Sequence, residues 1–162
     1  MDKNIFYKST ILLTGADGGI GRSFIDELLK INIKKIYITG LNINALNELS
    51  KIDKRLVPIK LDITSIEDIK NIKEKCGDIN CLINNAGIEL KTDFLSFEFC
   101  QKFDKEIAVN FKGTVNLTNN LIGVLNKNRN SFIVNILSIA SLTLIDTISS
   151  YCISKMALHI YS

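Results

Sequence analysis

Several residue types on which common chemistries depend are scarce in this chain. Among 162 residues there is one proline, one histidine and no tryptophan. So little proline, with 46% of residues hydrophobic, excludes a collagen-like chain and speaks against disorder. The single histidine, His159, and four cysteines without a C-x-x-C pair supply no ligand set at structural-zinc spacing, so no metal is expected. A Ser-His or Cys-His nucleophile is excluded unless His159 serves it. Nor is there an excess of one charge. Twenty basic against 17 acidic residues give +3, too weak and too scattered for a nucleic-acid patch or a membrane-seeking surface. Long apolar runs are absent too: the least charged stretch, Ser131 to Ile145, is interrupted by Asn135 and Ser138 and falls short of the roughly 20 residues of a membrane helix. The opening Met1-Asp2-Lys3-Asn4 leads into mixed sequence rather than the apolar core of a signal peptide. Cys76, Cys81, Cys100 and Cys152 are therefore expected as reduced thiols in a cytoplasmic protein.

What is present is a strict alternation of two hydrophobic patterns. Short β-branched runs at 10–14, 35–39, 56–61, 79–84 and 131–136 suit strands buried on both faces of a parallel sheet. Between them lie stretches of helical spacing: Ile20, Phe24, Leu28 and Ile31; Ile66, Ile69 and Ile72; and a long one from about Ser96 to Leu125. Thr64 with Glu67 forms a capping-box pattern, and Ser96 precedes the long stretch as a start signal. The alternation predicts an α/β fold with a doubly wound parallel sheet, and at about 150 residues per domain the length allows one domain. In the usual strand order 3-2-1-4-5 the third strand is an edge, where Pro58 is tolerated.

Directly after the first strand comes Thr14-Gly15-Ala16-Asp17-Gly18-Gly19-Ile20-Gly21, opening a helix. Gly15 permits a tight turn, Gly19 lets the backbone approach a pyrophosphate, and Gly21 allows close helix–strand packing. The helix N-terminus adds partial positive charge toward an anion. An ordinary glycine-rich loop is the plain alternative; the strand–turn–helix setting favours dinucleotide binding.

A second constellation is Tyr151-Cys152-Ile153-Ser154-Lys155, which puts Tyr151 and Lys155 on one face of a helix. A phenol has a pKa near 10, too high for efficient proton transfer at neutral pH, and a nearby ammonium favours the phenolate. Alone such a pair is commonplace on exposed helices. Ser138, however, ends the fifth strand thirteen residues earlier, and folds of this class bind ligands at the carboxyl ends of their strands. Asn84-Asn85-Ala86-Gly87 ends the fourth strand, and Asn110 stands inside the long helical stretch, where asparagine has poor propensity.

These five elements, in this order, resemble the short-chain dehydrogenase/reductase family over essentially the whole chain. The resemblance implies a Rossmann-type three-layer α/β/α fold and hydride transfer between a nicotinamide and an alcohol or carbonyl carbon. It implies that Tyr151 is the general acid/base, that Ser138 hydrogen-bonds the reacting carbonyl, and that Lys155 lowers the Tyr151 pKa and binds nicotinamide-ribose hydroxyls. Asn110 would hold a water in the proton relay. The cofactor-binding set it implies is Gly15, Asp17, Gly19, Ile20, Gly21, Asp62, Ile63, Asn85, Ala86 and Gly87 together with Tyr151 and Lys155. Asp62 matches the position whose carboxylate meets the adenine ring; a loop acid before Thr64 is its plain alternative.

Two departures stand out. The end of the second strand reads Thr39-Gly40-Leu41-Asn42, with neither a ribose-binding acid at Gly40 nor a phosphate-binding arginine at Leu41 or Gly18. The cofactor is thus NAD or NADP, and the missing arginines lean toward NAD. The sequence also stops at Ser162, where the family adds further strands, helices and a substrate loop. Residues 1–162 are accordingly expected as a single NAD(P)-binding domain, incomplete at its C-terminus, with an exposed edge at the fifth strand and a truncated form of the family's homo-oligomer interface. A small alcohol or carbonyl compound is the expected partner. The competing reading is a catalytically silent nucleotide-binding or scaffold fragment; a His159 hydrolase is a remote third.

Overall fold

In the computed structural model, which describes residues 5–128 and 130–162, the β-branched runs form one parallel sheet. Its strands are β1 (Thr10–Leu13), β2 (Lys35–Gly40), β3 (Leu56–Lys60), β4 (Cys81–Asn84) and β5 (Phe132–Asn135), in the order β3-β2-β1-β4-β5. Parallel strands need crossovers, and the helices that supply them cover both faces. Strand alternation decides which side chain enters which layer. From β1, Ile11 and Leu13 join Ile25 and Leu28 of α1 (Gly19–Leu29) and Leu46 of α2 (Ile43–Ser50). Leu12 points the other way, to Ile69 and Ile72 of α3 (Ile66–Lys75) and Leu117 and Leu121 of α5 (Thr114–Leu125). Full burial of each such side chain contributes on the order of 1.5–3 kcal/mol. Together the two clusters hold β1 and β4 rigid at the centre, and the ligand-facing turns leave from the C-terminal ends of these strands.

Pro58 lies on edge strand β3, in register with Ile38. At the other side β5 pairs only with β4 among the described residues, and its side chains are half-buried. Phe6 stacks edge-on against Phe132 there, with ring centroids 5.4 Å apart.

Helix starts differ from the sequence expectation in two places. Ser65, not Thr64, caps α3: its Oγ accepts from the Asp68 amide at 3.2 Å. The Thr64 amide and hydroxyl are instead taken by Asp62 Oδ1, at 2.8 and 2.7 Å, which delays the helix by one residue. Ser96 makes a turn, accepting from the Glu98 amide, and α4 (Phe99–Glu106) begins only after it. Nor is the long stretch one α-helix. Ile107–Gly113 forms a π-helical segment between α4 and α5. A 3₁₀ turn (Ile139–Ser141) follows β5, and α6 (Ser149–Tyr161) closes the chain. Among the described residues no helix is long and apolar enough to cross a membrane.

Candidate functional site

The site begins at the exit of β1. Gly15 has φ +63°, a left-handed conformation that favours glycine, and its turn carries the chain into α1. Asn85, at the end of β4, clamps this turn: its Nδ2 donates to the carbonyls of Thr14 (2.9 Å) and Gly15 (3.1 Å). The Thr14 hydroxyl in return accepts from the amides of Asn85 and Ala86, both at 2.9 Å. The close approach at Gly21 is to the turn rather than to a strand, since a Cβ there would lie 2.7 Å from Ala16 Cα. Around Gly19 the corresponding space is open.

Helix ends show what this turn can hold. Asn42 caps α2 and Ser65 caps α3 with side-chain oxygens, whereas α1, with Gly18 at its N-cap, has no side-chain acceptor, as is also true of α4 and α6. The first-turn amides of α1 are thus left to an external acceptor. They border a cleft of about 350 Å³ that runs from Gly40, Leu41, Asp62 and Ile63 to Asn85 and Gly87. A glycine-rich wall and a helix end without a side-chain cap suit a dinucleotide with its pyrophosphate at α1.

A second chamber of about 150 Å³ adjoins the first and shares Ile20, Asn85, Gly87 and Ile88 with it. Tyr151 and Lys155 line this chamber, one turn apart on α6. Ser138, extended at the start of the 3₁₀ turn, lies close enough to the Tyr151 phenol to influence its titration. Burial pushes that phenol above its ordinary value near 10; Ser138 pulls it down, and the carboxylates of Glu89 and Glu106 push it up. The Lys155 ammonium is buried, which lowers its pKa, and donates to the Ile136 carbonyl at 2.9 Å. Its Nζ lies 5.8 Å from the Tyr151 ring centroid. The expected lowering of the tyrosine pKa is therefore not the net effect in this chain: burial prevails while the ammonium is engaged at Ile136.

Asn110 occupies the π-helical segment, fully buried. Its Oδ1 accepts from the Ile88 amide (2.8 Å), and its Nδ2 donates to the Ile88 carbonyl and the Ser154 hydroxyl (both 2.9 Å). A Cβ on Gly87 would lie 3.2 Å from Asn110 Oδ1 and 3.5 Å from Lys155 Nζ, so both groups crowd the same backbone position. Asp62 lines the far end of the cleft with one carboxylate oxygen engaged at Thr64. His159 is exposed on the last turn of α6.

The chain matches the family model for short chain dehydrogenase over residues 9–162. It belongs to the short-chain dehydrogenase family. Mouse estradiol 17-beta-dehydrogenase 11 is 32% identical over 155 residues, covering 91% of this chain and 51% of the relative. A Schizosaccharomyces pombe NADP-dependent 3-hydroxy acid dehydrogenase is 30% identical, covering 92% of this chain and 61% of that protein. Among solved structures, a Burkholderia cenocepacia short chain dehydrogenase in complex with NADP superposes with a TM-score of 0.88 at 29% identity, covering 96% of this chain and 64% of that one. The chain thus spans about half to two-thirds of the length of these relatives.

Within this short-chain dehydrogenase framework, two residues and one contact escape a reading of the sequence. Glu106 looks like a surface acid of an amphipathic helix, yet it is sealed from solvent and accepts from the Ser150 hydroxyl and the Leu90 amide. Ser154 is buried as the partner of Asn110. Asp17 was expected at the cofactor, but not that its Oδ2 would reach across to accept from the Asn42 amide beyond β2, at 3.2 Å. Only the Asn110–Ser154 pairing has a sequence signal, an asparagine inside a helical stretch.

Proposed function

We propose that this chain carries the cofactor-binding and proton-transferring machinery of an NAD(P)-dependent oxidoreductase acting on an alcohol or carbonyl compound. The observation that carries the reading is the adjacency of the two chambers: the cleft bordered by α1 shares Ile20, Asn85, Gly87 and Ile88 with the chamber that Tyr151 and Lys155 line. A bound nicotinamide supplies or accepts the hydride. The chain's residues manage the rest. Tyr151 lines the inner chamber, and in the direction of carbonyl reduction its Oη is placed to give a proton to the substrate oxygen. Ser138, beside the phenol, orients the same oxygen. Lys155 presents its ammonium to ribose hydroxyls. Asn110 acts as a positioning residue, holding Ile88 and Ser154 so that both walls of the inner chamber keep their shape.

Titration of the chain with NADH and NADPH, followed by turnover on a panel of simple ketones and alcohols, tests this reading. Saturable binding and turnover, with turnover falling by about 10²–10⁴ in Tyr151→Phe, is the expected result. Binding without turnover would assign the chain nucleotide binding alone, and failure to bind either dinucleotide would overturn the reading.

A further inference from the structure

We propose that Asp17 makes this chain select a dinucleotide lacking a 2′-phosphate, its carboxylate replacing the acid that the end of β2 lacks. The proposal rests on the dinucleotide reading above and narrows it to NAD.

In sheets of this type an acid near the end of the second strand hydrogen-bonds the adenosine-ribose 2′-hydroxyl. Here β2 ends on Gly40, which has no side chain to do so. The volume that such a side chain would enter is nevertheless filled. A Cβ on Gly40 would lie 2.7 Å from Asp17 Cγ and would overlap Oδ1. The carboxylate of the glycine-rich turn therefore sits where a side chain from residue 40 would start, and any side chain at 40 would have to displace it.

Its placement is held from both ends. The Ala16 amide donates to the Thr39 carbonyl at 2.9 Å, fastening the turn to β2. The Asn42 amide donates to Asp17 Oδ2 at 3.2 Å. Among the described residues Oδ1 accepts no hydrogen bond, so it remains available to a hydroxyl donor. Asp17 also forms no ion pair there. Arg22 donates through Nε to the Asp17 backbone carbonyl at 3.2 Å and does not line the cleft. Charge along the cleft agrees: two acids, Asp17 and Asp62, line it, and no lysine or arginine does. A ribose hydroxyl can donate to this carboxylate. A 2′-phosphate would meet it with like charge, and no lysine or arginine lines the cleft to offset the repulsion.

The test is equilibrium binding of NADH and NADPH, read by nicotinamide fluorescence, to the parent chain and three variants whose folding is checked by thermal midpoint. The parent is expected to bind NADH at least about tenfold more tightly than NADPH, given a like-charge contact of this kind. Asp17→Asn keeps the shape and the Asn42 bond while removing the charge, so the NADH:NADPH ratio should fall at least about fivefold, mainly through tighter NADPH. The double variant Asp17→Ser, Gly40→Asp returns a carboxylate to β2 and should restore the preference. Gly40→Asp alone collides with Asp17 and should weaken both dinucleotides. A parent that binds NADPH as tightly as NADH, or a ratio unmoved by Asp17→Asn while NADH still binds, overturns this proposal and leaves the dinucleotide reading standing. A parent that binds neither overturns both.

Discussion

Asn110 Nδ2 lies 2.9 Å from Ser154 Oγ, a bond that ties the π-helical segment to α6 one residue before Lys155. Asparagine is a weak helix former, and a π-helical turn is a costly geometry, so both are retained here against local preference. The compensation is visible: one side chain satisfies the amide and carbonyl of Ile88 and the hydroxyl of Ser154 at once.

Asn110→Leu should therefore cost far more than Ser154→Ala. The first leaves the amide and carbonyl of Ile88 without their partner, at about 1–3 kcal/mol for each buried group left unmatched. The second removes a single side-chain bond, worth about 0.5–1.5 kcal/mol. Urea denaturation of both variants measures the difference. Equal losses would mean that Asn110 does not hold Ile88 in solution.

The layered sheet was legible in the sequence because hydrophobic period is a local signal. Ile11, Leu12 and Leu13 announce a strand buried on both faces, and the structure sends them to two layers as that pattern requires. Pro58 likewise agreed with the edge position that the usual strand order gives β3. The glycine-rich turn and the Tyr151–Lys155 pair were legible because their spacing sets their geometry. Contacts between distant segments were not. Nothing local to Glu106 marks it as buried against Ser150, 44 residues away, and nothing near Gly40 tells that Asp17 fills its place. Competition at helix starts was also hidden, because Asp62 takes the Thr64 groups and passes the α3 cap to Ser65.

The alkaline titration of Tyr151 should depend on Ser138. Burial holds the phenol above its ordinary value and Ser138 partly offsets this. Ser138→Ala removes the offset, so tyrosinate absorbance assigned by difference to Tyr151→Phe should develop at still higher pH. The linked stability has a definite sign. A tyrosine with a raised folded pKa contributes stability that is full below the unfolded value near 10 and is lost as pH rises through the folded value. Tyr151→Phe should lack this alkaline loss. A Ser138→Ala titration that moves to lower pH would contradict that offset.

Asp53 governs the acid side. Arg55 donates to it from Nε at 3.0 Å and Nη2 at 2.8 Å, and holds the carboxyl at about 2, below its ordinary 3.8. Arg55 also donates to the carbonyls of Ile31 (3.1 Å) and Leu29 (3.0 Å), so the pair fastens the entry of β3 to the end of α1. A lowered carboxyl contributes stability above the unfolded pKa that is lost as pH falls through about 2. Asp53→Asn should be less stable than the parent by about 1 kcal/mol at neutral pH, solvent screening included. Thermal midpoints taken down a pH series should converge between about 4 and 2. A gap that persists undiminished at the acid end would assign the loss to something other than this charge.

Gly113 joins the fold to the cleft. It ends the π-helical segment, and a Cβ there would lie 2.7 Å from the Ile63 carbonyl oxygen and 2.9 Å from Ile63 Cγ1. Ile63 lines the same cleft as Asp17 and Asp62, so any side chain at 113 must push that wall or shift the helix. Overpacking of this kind costs about 1–3 kcal/mol. Gly113→Ala should lower the thermal midpoint by several degrees, at about 2–4 °C per kcal/mol for a chain of this size. It should also weaken binding of NADH and NADPH alike, because a displaced Ile63 wall does not distinguish the 2′ position. That parallel loss separates it from Asp17→Asn, which changes the ratio. A Gly113→Ala chain that keeps the parent's thermal midpoint and both affinities would show that α5 and the Ile63 wall are looser than their close approach implies.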